Sequence, residues 1–289
     1  MTVVKTTGSM ISTLDASNLS YELERVRVKS PDLTEVSKVL AVAQQEKKIP
    51  SNLEYIDDFY DASTGTSGTA FKDKNTGKVV VSYTGTNPSG DFGMDISTDV
   101  YSIGFGIGYH YDNAYTFYEK MAEKYGADNL ILTGHSLGGN VAQRVALKYN
   151  ARITIVYNPA PLYVTSVALK DDERVVENIQ DIEKEMESFT GRVLRVNTEW
   201  DVLQLSALAG GVYLGEKITL VNSGGHGLDE IVNDPAQVAE LERILAIEFG
   251  MSSITDKKLQ FIRSSREGIS GVTKSQWIYL DALQAQLLS

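Results

Sequence analysis

Ser136 stands in Thr133-Gly134-His135-Ser136-Leu137-Gly138-Gly139, between the apolar run Leu130-Ile131-Leu132 and a segment with helical spacing. A serine held on a sharp turn from strand to helix is set up for nucleophilic attack on an acyl carbon. Glycines at 134 and 138 leave room for the neighbouring strand and helix, and the serine backbone is expected to be strained. The helix that follows offers an oxyanion its positive end and the N–H of Leu137. The bare pattern G-x-S-x-G is a weak signal in a chain with 24 glycines, and an ordinary glycine-rich turn is the bland alternative. The strand before it and the helix after it are what the chemistry requires, and they give the pattern its weight.

A serine hydroxyl needs a base, and the base needs a carboxylate to orient it. The chain has three histidines, His110, His135 and His226, and only His226 follows Ser136. It lies in Ser223-Gly224-Gly225-His226-Gly227, just beyond an apolar strand, at the end of a sheet where ligands bind. Two acids compete for the third role, Glu199 and Asp201, both in the loop after the strand starting at Arg192. Asp229 and Glu230 are close to His226 in sequence and fit better as the first turn of a helix, where acids complement the dipole. His135 is expected to pack beneath the turn, and His110 to be structural.

The elements that must position these residues follow a regular order. Residues 1–30 read as polar and irregular. Ser30-Pro31 then suits the start of a helix with Leu33, Val36, Leu40 and Ala43 on one face, closed by Pro50. Residues 67–73 and 78–83 read as a hairpin around an Asn/Gly turn, the second strand being buried. A helix is expected up to about Lys124. Strand 129–133, helix 137–149, strand 153–157, helix 172–189, strands 192–196 and 217–221, and helix 235–249 then alternate. Such alternation predicts a mostly parallel sheet covered on both faces. Residues 251–289 read as an appended helical tail with Trp277, Leu280, Leu283 and Leu287 on one side.

Composition narrows the chemistry. The 289 residues suffice for one large domain, divided here as an N-terminal extension (1–60), a core (61–250) and a C-terminal tail (251–289). A formal net charge of −11 disfavours nucleic acid as a partner. The absence of cysteine removes disulfides and thiolate chemistry, and the three histidines show no zinc spacing. No cofactor is called for. No stretch has the length and apolarity of a membrane span, and Met1–Thr7 lacks a Sec-type apolar core. Location is left undecided, with the cytoplasm as default and a non-Sec export route as the alternative; oligomeric state is not legible.

Three segments together resemble the class 3 lipase family, the fungal triacylglycerol-lipase type, as a bacterial-type relative. They are Leu132–Gly139, the strand Val79-Val80-Val81-Ser82-Tyr83-Thr84-Gly85-Thr86, and Val196-Asn197-Thr198-Glu199-Trp200-Asp201-Val202. The resemblance implies an α/β-hydrolase fold with N- and C-terminal helical extensions and a Ser136–Asp201–His226 triad. It also implies an oxyanion hole shared by Leu137 and Thr86. It tips the acid from Glu199 to Asp201. Two departures stand out: Thr84 replaces the family's arginine, and the interval from Asp201 to His226 is short.

The expected activity is hydrolysis of a carboxylic ester, from a lipid or a smaller molecule, through an acyl-enzyme and without a cofactor. A lipid interface is an expected setting. An acyltransferase with the same triad, or a hydrolase fold retired to a binding role, are the alternatives. Residues 87–111 would be a lid in this family, or else a buried strand or loop. Helix 172–189 reads as a core helix with a solvated face, the alternative being a cap over the acyl pocket.

Overall fold

The structure, a computed structural model, describes residues 12–29, 37, 38, 40, 50, 52–84, 111–165, 172–208 and 210–249. The expected lid (all but Tyr111), Thr86, His110, most of the helix expected over 31–49 and the tail 251–289 lie outside the described residues.

Strands β1 (Leu53–Asp61), β2 (Thr66–Asp73), β3 (Val79–Thr84), β4 (Leu130–His135) and β5 (Ile153–Tyr157) lie side by side in that order. The sheet then continues with β7 (Arg192–Thr198) and β9 (Glu216–Leu220). The first three strands pair antiparallel, and from β3 onward every pair is parallel. A minor ladder joins β6 (Tyr163–Val164) to β8 (Gly211–Val212). The predicted hairpin is therefore present, and the parallel half matches the predicted alternation of strands and helices.

Alternation along each strand divides the core into two layers. Val79, Val81, Leu130, Leu132, Val156 and Val193 point to one face. There they meet α2 (Asp112–Tyr125), α3 (Leu137–Tyr149) and α4 (Glu173–Ser188) through Phe117, Met121, Val141, Val145 and Ile182. Their neighbours Val80, Ile131, Ile155, Leu194 and Val196 point to the other face. On that side lie α1 (Ser12–Lys29) and α7 (Pro235–Phe249), with Leu14, Leu19, Leu23, Leu241 and Leu245 buried. In α4 only Val175 and Ile182 are buried, while Ile179, Met186 and, just past its end, Phe189 pack partly against the core, so its polar face is solvated as expected. The described chain also has two short α-helices, α5 (Gln204–Leu208) and α6 (Asp229–Val232), and a single 3-10 turn at Ala127–Asn129.

Residues 1–30 correct the sequence reading: 12–29 form a helix of 18 residues, not an irregular segment. The buried face of α1 interleaves Ser12, Thr13, Ser17 and Ser20 with Leu14, Ala16, Leu19 and Leu23, which blurs its apolar periodicity. Thr13 Oγ1 lies 2.6 Å from Tyr157 Oη, Ser17 Oγ 2.9 Å from Thr133 Oγ1, and Ser12 Oγ donates to Asp73 at 3.1 Å. Such bonds satisfy the polar groups of a buried layer, while Ala16, Leu19 and Leu23 pack against the sheet beside them. Strand β1 was also not anticipated. Three of its nine residues are aspartates, and it is an edge strand with most positions only half-buried.

Candidate active site

Three loops converge at the C-terminal ends of the parallel strands β4, β7 and β9. Ser136 joins β4 directly to α3, with φ 56° and ψ −122°. That left-handed conformation costs a non-glycine residue about 1–3 kcal/mol and persists only where its surroundings impose it. Here the backbone is held on both sides: Ser136 N–H donates to Tyr157 O at 3.1 Å, and Ser136 O accepts from Gly139, Asn140 and Ala160. A Cβ at Gly134 would lie 2.3 Å from Gly138 O, and one at Gly138 would lie 2.0 Å from Tyr83 O. Glycine at these two positions is therefore what lets α3 start against β3 and β4.

The Ser136 hydroxyl lies 2.9 Å from His226 Nε2, and His226 Nδ1 lies 2.7 Å from Asp201 Oδ1. Because a carboxylate only accepts, Nδ1 carries the proton and Nε2 faces the serine as an acceptor. Asp201 is buried, and its oxygens also accept from Leu203 N–H at 3.0 Å and Asn197 Nδ2 at 2.9 Å. Those donors fix the orientation of the carboxylate. Glu199, the rival acid, is occupied elsewhere: its Oε2 accepts from Asn222 N–H at 2.9 Å. Trp200 and Val202, on either side of Asp201, remain exposed to solvent.

The loop carrying His226 is rich in glycine and is held by its backbone. Thr198 Oγ1 bonds Gly225 O at 2.5 Å, Trp200 N–H donates to Gly224 O at 3.2 Å, and Ser223 Oγ accepts from Glu199 N–H at 2.7 Å. Two buried side chains, Asn158 through Nδ2 and His135 through Nε2, both reach the His226 carbonyl at 2.8 Å. Asn158 also accepts Thr198 N–H at 2.8 Å, so one amide links the ends of β5 and β7 to the histidine loop. Sequence reasoning missed Asn158. Its one signal was an asparagine before proline at the end of a strand beside the serine turn.

His135 does lie beneath the turn, its ring centroid 4.7 Å from that of His226. Burial, and next the neighbouring His226, push its imidazole down to about 3, so it is neutral at physiological pH. Leu137 begins α3, where its N–H has no acceptor within the helix. Asp229 and Glu230 open α6, as expected. Among the described residues, no group of three or more His, Cys, Asp or Glu side chains could hold a metal ion. None of their helices is long and apolar enough to cross a membrane.

A mostly parallel sheet covered on both faces, with a strained serine between strand and helix, defines an α/β-hydrolase of lipase-like type. A model of the phospholipase-like family described as the Tle-like phospholipase domain matches residues 40–238, and the chain belongs to that family. Among solved structures it is similar to a lipase from Rhizopus microsporus var. chinensis, with 14% identity and a TM-score of 0.44, covering 78% of this chain and 79% of that one. It is also similar to the Francisella virulence factor BioJ, with 15% identity and a TM-score of 0.38, covering 82% and 97% of the two chains. A triacylglycerol lipase from Penicillium expansum aligns at 18% identity and a TM-score of 0.41 over 58% of this chain and 70% of the other. No curated protein matches by sequence.

Proposed function

We propose that this chain is a serine carboxylic-ester hydrolase acting on lipid esters, with Ser136 as nucleophile, His226 as general base and Asp201 as the orienting acid. The observation that carries the reading is the hydrogen-bonded line from Ser136 Oγ through His226 to the buried Asp201, assembled from three separate loops. His226 Nε2 takes the hydroxyl proton as Ser136 attacks the acyl carbon, then returns it to the leaving alcohol. Water, activated by the same nitrogen, resolves the acyl-enzyme. Asp201 holds Nδ1–H and stabilises the imidazolium that forms in each step.

The N–H of Leu137 stabilises the oxyanion from the helix terminus. Thr86, two residues past the end of β3, is proposed as the second donor on the strength of the family resemblance alone. Phospholipid is the favoured substrate class, because the family is phospholipase-like. The chain's net charge of −11 suits zwitterionic or neutral lipid better than anionic lipid.

The test pairs hydrolysis of p-nitrophenyl esters and phosphatidylcholine with labelling by a fluorophosphonate, for the wild type and Ser136→Ala. Hydrolysis and labelling by the wild type, with both lost in the variant, are expected. The drop in kcat is about 10⁴-fold or more, as for removal of a triad member. A folded wild type that neither labels nor turns over any ester would sink the reading.

A further inference from the structure

Helix α1 lies wholly before the family-matched segment, which begins at residue 40, yet one of its side chains reaches the site. Tyr21 Oη lies 3.0 Å from His135 Nδ1 and donates to the backbone carbonyl of His135 at 3.1 Å. The two rings meet edge to face, with centroids 5.7 Å apart. On its far side His135 contacts the His226 carbonyl through Nε2. A carbonyl only accepts, so Nε2 carries the ring proton and Nδ1 is left as a buried acceptor. Tyr21 supplies that donor, its single hydroxyl proton shared between Nδ1 and the His135 carbonyl next to Ser136.

We propose that Tyr21 is a positioning residue for the reaction: through His135 it fixes the carbonyl of His226, and so ties the N-terminal helix to the placement of the base. The proposal rests on the hydrolase reading above. Its physical content is a relay of two hydrogen bonds with one neutral ring between them. With the tyrosine hydroxyl gone, Nδ1 is buried without a partner, a state that costs about 1–3 kcal/mol unless the ring shifts or changes tautomer. Either response weakens the bond to His226 O and leaves Asn158 to hold that carbonyl alone. The imidazole of His226 would then sample positions away from Ser136, and misplacement by about 1 Å is enough to cost up to roughly a hundredfold in rate.

Tyr21→Phe keeps the ring packing and removes only the hydroxyl. On a soluble ester its kcat is expected to fall about tenfold with KM unchanged, the pattern of an interaction that matters in the transition state. His135→Gln keeps an amide donor near the Nε2 position and has no tautomer to fix. In that background Tyr21→Phe should cost almost nothing, because both substitutions act on one path. Additive losses in the double variant, or wild-type kcat in Tyr21→Phe, would overturn the proposal.

A second measurement does not depend on turnover. The chain has three histidines, so histidine-labelled protein gives imidazole ¹⁵N–¹H spectra that single substitutions can assign. His135 should be a single Nε2–H tautomer in the wild type and lose that signature in Tyr21→Phe. An Nδ1–H tautomer in the wild type, or unchanged signals in the variant, would also overturn it. Failure of the hydrolase reading would look different: a wild type that does not hydrolyse esters or label, whatever the His135 spectrum shows.

Discussion

Asn158 sits at the end of β5 with φ 40°, fully buried, and its amide is used at both ends. The oxygen accepts Thr198 N–H and the nitrogen donates to the His226 carbonyl. Asn158→Asp keeps the acceptor and replaces the donor by an oxygen that faces another oxygen. Its kcat on a soluble ester should fall at least about tenfold, with a lower thermal midpoint. Wild-type kinetics in that variant would show that the carbonyl needs no such clamp. The serine and histidine that meet in the structure were legible because their types and order are distinctive. Asp201 was separated from Glu199 mostly by resemblance. The structure adds the physical distinction, since Glu199 turns back to cap the loop at Asn222. Asn158 and Tyr21 were not legible, because each acts on a backbone carbonyl, and a carbonyl leaves no mark in a sequence.

The parallel strands and their helices were read nearly to the residue, as with β5 and α3, because buried strands are dense in valine, isoleucine and leucine. Helix α1 was missed for the opposite reason: its inward face carries Ser12, Thr13, Ser17 and Ser20, all buried and hydrogen-bonded. It also buries Glu24, whose Oε2 has no hydrogen-bond partner. Burial raises that carboxyl from 4.5 to about 8, partly offset by Arg25. A folded value above the ordinary one means that the folded chain binds more protons than the unfolded chain between those two pH values. The stability from this group is thus complete below pH 4.5 and is lost progressively as pH rises to about 8. Glu24→Gln should remove the slope and be more stable than the wild type at pH 8 by roughly 3 kcal/mol, less whatever water reaches the site. Parallel thermal midpoints for the two proteins from pH 5 to about 8.5 would refute the assignment.

Over the whole molecule, the sheet combines a local half and a long-range half. Strands β1, β2 and β3 pair in sequence order through short connections, whereas β5, β7 and β9 are brought together across helices. The site lies at the ends of the parallel strands, so it draws on the long-range half. It also draws on α1, whose partners are far along the chain: Thr13 meets Tyr157 and Tyr21 meets His135, separations of 144 and 114 positions. The helix that precedes every described strand is therefore unable to find its seat until β5 has been made and the sheet has closed. Contacts this distant form late, after the loops between them have been closed. During refolding from urea, β-sheet circular dichroism should return before esterase activity, and the lag should report the docking of α1. Simultaneous recovery of both signals would mean that the helix is seated as the sheet forms. If the lag is found, a chain caught before its first helix docks holds a nearly complete sheet but has not yet become an enzyme.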